Sequence, residues 1–178
     1  MTYVAASVLS FLLGIFGASW KPYLGFHKPP PTAQVTQLQT DLAAAQAAHK
    51  SYPVVPISVC LAQFGLESAW GTKVTGKNNF FGEKASPGDS YTACHTHEVI
   101  HGCVVPIIAN FKNYTSPADA FIEHSRHLAT SLHYVKARAA KTPEDFAHAL
   151  TGVYADDPEY GDKIVEIMRA SSLEKYDS

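Results

Sequence analysis

One pattern of residues at helix starts recurs three times in the second half of the chain. Residues 116–121 read SPADAF, residues 142–150 read TPEDFAHAL and residues 157–168 read DPEYGDKIVEIM. A Ser, Thr or Asp side chain caps a helix by accepting a hydrogen bond from a first-turn N–H, and proline fits the first helical position, where no donor is needed. The pattern therefore predicts three helices in this half.

Two earlier segments are also predicted to be helical. Residues 34–50 have a helix-forming composition with apolar residues at helical spacing, and they would form either a stalk or the first helix of the domain. A second helix follows Pro56, a first-turn proline, with an apolar side formed by Ile57, Cys60, Leu61 and Phe64.

Only residues 91–111 have the pattern of strands, with His101–Gly102 as the turn of a hairpin. A two-residue turn there places Ile100 opposite Cys103 and Cys94 opposite Ala109. The two cysteines would then be too far apart for a disulfide, which needs Cα atoms within about 7 Å. A Cys94–Cys103 disulfide is the alternative, and it would require a wide loop instead. The expected fold is mainly α with a small β-hairpin lobe.

The N-terminal stretch is the clearest anomaly in composition. Residues 2–20 carry no charge and would span roughly 28 Å as a helix, close to the thickness of a bilayer. We expect an N-terminal hydrophobic helix at residues 1–22, acting as a transmembrane or signal anchor. Residues 23–50 would be a Pro-containing linker and helical stalk, and residues 51–178 a catalytic domain. Lys21 and Lys28 favour a cytoplasmic domain by the positive-inside rule.

Charge and cysteine content exclude several classes of function. The chain of 178 residues has a net charge of −2 and 14 scattered Lys and Arg residues, so no basic surface for nucleic acid is expected. Possible ligands cluster in residues 94–103, but their spacing matches no standard zinc pattern, and we expect neither metal nor cofactor. His124 and His127, one turn apart, are predicted to be polar surface residues.

Glu67 is the candidate catalytic residue, because it lies on the apolar side of the second helix near its C-terminal end. Loss of solvation and the negative end of the helix dipole both raise the pKa of such a carboxyl group. A raised pKa is what a general acid needs to be protonated at neutral pH. The alternative is a surface Glu67 whose carboxylate reaches solvent at a frayed helix end.

Four ordered segments between residues 52 and 170 resemble glycoside hydrolase family 73, the glucosaminidases of bacterial cell walls. They are LESAWG with NNFFGEKA, then THEVIHG, then ANFKNYTSPADAFIEHSRHLA, and finally ALTGVYADDPEYGDKIVEIM. The resemblance implies a lysozyme-like α+β domain with two lobes around a cleft and a hairpin lid. Peptidoglycan strands would be the substrate.

The resemblance also implies roles for individual residues. Glu67 matches the catalytic acid, Glu98 the second acidic residue on a hairpin over the cleft, and Tyr154 a tyrosine of the cleft, with Tyr160 as the alternative. Glycoside hydrolysis uses one protonated carboxyl group and a second group that activates water or stabilises the oxocarbenium ion. The candidate substrate-binding residues are Trp70, Asn79, Phe80 and Tyr160; for the aromatic ones core packing is the alternative, and Asn79 could instead brace its loop.

The expected activity is hydrolysis of the β-1,4 bond between N-acetylglucosamine and N-acetylmuramic acid. Two alternatives stay open: a muramidase or lytic transglycosylase, and a non-catalytic wall-binding component of an envelope-penetrating machine. A domain behind an anchor would act in the periplasm or cell wall, as in a phage endolysin, a virion-associated enzyme or a secretion-machine hydrolase. This location conflicts with the orientation that the two lysines favour.

Overall fold

The computed structural model describes residues 32–100 and 103–177, and their side chains except those of residues 32–39, 97–100, 103 and 104. The described part is mainly helical with one antiparallel pair of strands. The elements, in chain order, are α1 Thr32–Ser51, α2 Ile57–Ser68, β1 Tyr91–Ile100, β2 Cys103–Lys112, α3 Pro117–Thr130, α4 Val135–Arg138, α5 Pro143–His148 and α6 Tyr160–Ala170. Short 3₁₀ turns follow α3 and α6, at Leu132–Tyr134 and Glu174–Tyr176.

Helix α2 is the centre of the core. Every one of its residues except Leu66 is buried, so the prediction of a single apolar side was too narrow. Helices α1, α5 and α6 pack around it. A helix enclosed on all sides cannot send a polar side chain to solvent, so Gln63 and Glu67 need partners inside the protein.

Helix α1 is the first helix of the domain. Ala44, Ala45 and Ala48 are buried in the core, and α1 packs along α3. His49 also bonds through Nδ1 to the carbonyl of Val55, at 2.8 Å, in the connection to α2. These contacts favour the alternative in which this helix is the first of the domain rather than a stalk, and its small alanine side chains let it approach its neighbours closely.

Two of the three predicted helix starts are confirmed. Ser116 and Thr142 each accept a hydrogen bond from the backbone N–H three residues later, and α3 and α5 begin at the prolines that follow. The third start differs. Pro158 lies in a turn, in which Asp157 accepts a bond from the N–H of Glu159, and α6 begins only at Tyr160.

The hairpin has the predicted register. Ile100 pairs with Cys103 and Cys94 with Ala109, so Cys94 is a free thiol and the disulfide alternative is wrong. The root of the hairpin, where β1 begins and β2 ends, also bonds to residues 83–85. Ala85 donates to the carbonyl of Asn110 at 2.8 Å, and Lys112 donates to that of Glu83 at 3.0 Å.

No helix within residues 32–100 or 103–177 has the length and apolar character needed to cross a membrane. The predicted hydrophobic helix at residues 1–22 lies outside the described residues.

Candidate active site

The C-terminal end of α2 is an abrupt change of chain direction. The helix ends at Ser68, and three successive residues then adopt left-handed backbone, with φ of 48° at Ala69, 57° at Trp70 and 75° at Gly71. Ser68 stabilises this end, since its hydroxyl donates to the carbonyl of Phe64 at 2.6 Å and accepts from the N–H of Gly71 at 2.9 Å. Helix α2 therefore ends one residue after Glu67, in a left-handed cap at Ala69.

Glu67 occupies the last turn of α2 and is only 3% exposed. Burial raises the pKa of Glu67 to about 8, while a hydrogen bond from the Tyr160 hydroxyl to Oε1, at 3.0 Å, lowers it. The predicted environment of Glu67, buried and with a raised pKa, is confirmed. Its carboxyl group is therefore largely protonated at neutral pH and can donate a proton.

Trp70 packs back onto α2, where a glycine makes room for it. A Cβ atom on Gly65 would lie 2.7 Å from the Trp70 ring, a distance that real Cβ atoms do not show. The ring also meets Phe64 edge to face at a centroid distance of 6.0 Å. Trp70 remains partly exposed three residues after Glu67, and its role in substrate binding stays a prediction.

Tyr160, rather than Tyr154, contacts the carboxyl group of Glu67. Tyr160 is fully buried at the start of α6. The next residue is Gly161, where a Cβ atom would lie 2.6 Å from the Cα of His148, so glycine lets α6 approach α5. Tyr154 stacks on Tyr160 with ring centroids 5.4 Å apart, and its buried hydroxyl bonds to none of the described residues.

Two predicted substrate-binding residues have structural positions instead. Asn79 is 1% exposed, and its amide nitrogen donates to the carbonyls of Glu83 and Lys112 while its oxygen accepts from the N–H of Glu83. Asn79 therefore braces the loop. Phe80 is 7% exposed and packs edge to face on Phe64 at 5.2 Å, so it lacks the open face that a sugar would need.

Glu98, the predicted second acidic residue, lies on β1 opposite Val105. It belongs to the part of the hairpin farthest from the root, two residues before β1 ends. Its side chain is outside the described ones, so its role remains a prediction.

Three polar residues near Glu67 were missed or wrongly predicted from the sequence. His124 is fully buried, so its prediction as a surface residue was wrong; its spacing from Phe121 and Leu128 on α3 places it on the apolar side of that helix. Gln63 is fully buried one turn before Glu67. Glu83 follows the loop braced by Asn79.

Glu83 is a second enclosed carboxylate. Burial alone would raise its pKa, but His124 and the hydroxyl of Tyr114 hold it below the usual value. The hydroxyl of Tyr114 donates to Oε2 at 2.5 Å, and Nδ1 of His124 lies 3.9 Å from Oε1. Glu83 is therefore ionised at neutral pH. Within the described residues, no group of three His, Cys, Asp or Glu side chains could hold a metal ion.

Comparisons with known proteins identify the family of this chain. The glucosaminidase family model, described as mannosyl-glycoprotein endo-beta-N-acetylglucosaminidase, matches residues 42–173. The exo-glucosaminidase LytG of Bacillus subtilis is 32% identical over 141 residues, which are 75% of this chain and 50% of LytG. A probable N-acetylmuramidase of Lactococcus lactis subsp. cremoris is 33% identical over 130 residues, which are 67% of this chain and 30% of that protein.

A solved structure has the same fold. The crystal structure of a mutant peptidoglycan hydrolase from Sphingomonas sp. A1 superposes with a TM-score of 0.64 and 27% identity, covering 82% of this chain and 97% of that one. The chain thus spans half the length of LytG and nearly all of this neighbour. The match to the family model extends over most of the chain, from within α1 to the residues after α6. The chain belongs to the glucosaminidase family, glycoside hydrolase family 73.

Proposed function

We propose that this chain is a peptidoglycan hydrolase that cleaves the β-1,4 bond between N-acetylglucosamine and N-acetylmuramic acid. The observation that carries the proposal is the carboxyl group of Glu67, 3% exposed and with its pKa raised to about 8. Membership of the glucosaminidase family supports the reaction class, and the peptidoglycan hydrolase neighbour supports the substrate.

Glu67 is the general acid in this proposal. Its proton passes to the glycosidic oxygen as the bond to the anomeric carbon breaks, so the leaving sugar departs as a neutral alcohol. Tyr160 bonds to Oε1, and none of the described residues bonds to Oε2. We assign the transferred proton to Oε2, because Oε1 is already engaged.

Glu98 and a water molecule complete the proposed reaction. After the bond breaks, the sugar carries positive charge that a second carboxylate stabilises, and water then adds to the anomeric carbon. The position of Glu98 on β1, in the part of the hairpin away from its root, supports this role. Tyr154 is proposed to support this site through its ring, which stacks on Tyr160 at a centroid distance of 5.4 Å, because its hydroxyl is buried.

Muramidase chemistry is the second candidate, because one relative at 33% identity is named a probable N-acetylmuramidase. Both candidates use Glu67 as the acid. They differ in which sugar carries the new reducing end, and a lytic transglycosylase would leave an anhydro-muramic end instead.

Digestion of purified peptidoglycan by the full chain tests the proposal, with the new ends identified by mass spectrometry. We expect N-acetylglucosamine reducing ends that are absent with Glu67→Gln and retained with the control Glu144→Gln, which makes the same change in the first turn of α5. N-acetylmuramic or anhydro-muramic ends would assign the second candidate. Binding without cleavage by the unmodified chain would contradict the hydrolase proposal and indicate a wall-binding component.

We further propose that residues 1–22 anchor the protein in the membrane and that the domain acts in the periplasm or cell wall. The uncharged stretch of residues 2–20 supports the anchor. Cell fractionation with external protease tests both parts. The full-length chain should sediment with membranes and be digested from outside the inner membrane. Recovery of the intact chain in the soluble cytoplasmic fraction would contradict the proposal.

A further inference from the structure

A series of buried, hydrogen-bonded side chains links Glu67 to His124 through the core, and Glu83 lies beyond His124. The hydroxyl of Tyr160 donates to Oε1 of Glu67 at 3.0 Å, and Nε2 of Gln63 donates to that hydroxyl at 3.0 Å. Nε2 of His124 lies 2.9 Å from Oε1 of Gln63. On its other side, Nδ1 of His124 lies 3.9 Å from Oε1 of Glu83.

The chemistry of these groups gives the hydrogen bonds a direction. With the Gln63 amide oriented as in the structure, its oxygen faces Nε2 of His124, which must then carry a proton because an amide oxygen can only accept. The amide nitrogen of Gln63 can only donate, so it occupies the oxygen of Tyr160 as an acceptor. The single hydroxyl proton of Tyr160 is then directed to Glu67.

Reversing these hydrogen bonds would remove the hydrogen bond that Glu67 accepts. If the Gln63 amide turned over, its oxygen would compete for the hydroxyl proton of Tyr160, and Glu67 would lose its donor. His124 opposes this rotation by supplying a donor to the amide oxygen, and its own ring is held flat against Phe81 at a centroid distance of 3.8 Å.

We propose that Gln63 and His124 are positioning residues of the active site, which act through Tyr160 to keep a hydrogen bond on Oε1 of Glu67. The proposal rests on the proposed role of Glu67 as general acid. Neither side chain bonds to the carboxyl group of Glu67, whose hydrogen-bond partner is Tyr160. Their function is to keep one carboxyl oxygen engaged, so that the proton resides on the other oxygen and is available to the substrate.

Other ionisable groups lie around this series of hydrogen-bonded side chains. Tyr154 faces Glu67 and Glu83 as well as Tyr160, and its ring meets that of His124 at 5.7 Å. His127 interacts with both Glu83 and His124, and Tyr114 bonds to Glu83. Each remains unchanged in the variants below, so its influence on Glu67 is common to all of them.

Carbon-13 NMR of the Glu67 carboxyl group in the labelled full chain measures the effect without any substrate. Tyr160→Phe removes the bond that lowers the pKa of Glu67, so the titration should move to higher pH, by about 1 unit. His124→Phe keeps a ring to stack on Phe81, and Gln63→Leu removes the amide. Each should move the titration in the same direction, by about half a unit.

The double variant His124→Phe with Tyr160→Phe separates positioning from packing. If His124 acts through the hydroxyl of Tyr160, the double variant should titrate as Tyr160→Phe does, with no further shift. A purely structural role would lower the melting temperature and leave the Glu67 titration unchanged, and this would overturn the proposal. His133→Phe, at an exposed histidine, is the control and should change neither.

A measurement on the unmodified chain covers the case in which the variants fail to fold. Nitrogen-15 shifts of the His124 ring should show a protonated Nε2, and a bare Nε2 would overturn the proposal. Because neither NMR measurement requires activity, an inactive chain that shows the expected shifts would reject the proposed function alone. An active chain with an unshifted Glu67 titration would reject the positioning role alone.

Discussion

Glu67 and Glu83 are two enclosed carboxyl groups in one small domain, and each accepts a hydrogen bond from a tyrosine hydroxyl. Tyr160 donates to Glu67 at 3.0 Å and Tyr114 donates to Glu83 at 2.5 Å. Their pKa values nevertheless move in opposite directions, upward for Glu67 and downward for Glu83.

The difference lies in the number and charge of the partners. The hydroxyl of Tyr160 is the one hydrogen-bond donor to Glu67 among the described residues, and it does not outweigh desolvation. Glu83 also faces His124 and His127, and the protonated form of either ring favours its charged form. One donor to a buried carboxyl group therefore leaves a proton donor, whereas a donor with neighbouring histidines leaves an anion.

The largest contrast between these carboxyl groups should be in activity. Glu67→Gln removes the transferable proton and should lower the rate of peptidoglycan cleavage by about 10³-fold, within the range of general acid catalysis. Glu83→Gln should retain at least a tenth of the activity, because this side chain is not assigned to proton transfer. Initial rates of reducing-end release measure both. Equal losses would remove the functional distinction between the two residues.

Glu67→Gln, which is expected to lower activity, should increase stability at high pH. The folded pKa of Glu67, about 8, lies above its ordinary value of 4.5, so its contribution to stability is fully present below pH 4.5 and is lost as the pH rises through 8. Glu67→Gln does not titrate. Its stability relative to the unmodified chain should therefore increase over this pH range, by on the order of a few kcal/mol at pH 9. Urea unfolding at pH 4 and pH 9 measures the change, and a pH-independent difference would contradict it.

Glu83→Gln should show the reverse trend. The folded pKa of Glu83 lies below its ordinary value of 4.5, so its stabilising contribution is present above pH 4.5 and is lost as the pH falls through the folded pKa. We expect a loss of roughly 1–3 kcal/mol in unfolding free energy at pH 7 and a smaller loss at pH 3. The same urea experiment measures it, and a larger loss at pH 3 would reverse the predicted sign.

The smallest effect should come from Tyr114→Phe. This variant removes one donor from Glu83 and leaves His124 in place, so Glu83 should stay ionised at neutral pH. We expect a loss of about 1 kcal/mol in unfolding free energy at pH 7, with cleavage activity nearly unchanged. If Glu83 became protonated at pH 7 in carbon-13 NMR, the hydroxyl rather than the histidines would be its main stabilising partner.

The sequence predicted most of the helices and strands and the burial of Glu67, because these depend on local rules. Caps at Ser116 and Thr142 and the alternating strands do not depend on distant contacts, and a carboxyl group on the apolar side of α2 requires burial. The third helix start was misplaced because the Asp157 side chain instead bonds within a turn and to Lys163, at 2.6 Å.

Long-range packing was beyond local rules. The network of Gln63, His124 and Tyr160 joins three helices, and nothing in the spacing of these residues specifies their contact. Asn79 and Phe80 belong to a motif that resemblance connected with substrate, yet their burial shows that they shape the loop. The backbone position of Glu98 follows from the hairpin register, which was predictable from the sequence. The side chain of Glu98 is outside the described ones.

Because the hairpin is bonded to residues 83–85 at its root, a small tilt there displaces its far end by several ångströms. Glu98 follows Tyr91 by seven residues on β1, roughly 24 Å along a strand, so a tilt of about 10° at the root carries its Cα by about 4 Å. Retaining and inverting glycosidases differ in carboxylate separation by about 1–4 Å. With Glu98 in its proposed role, a small rotation at the contact between Ala85 and Asn110 therefore spans the difference in carboxylate separation between the two stereochemical outcomes.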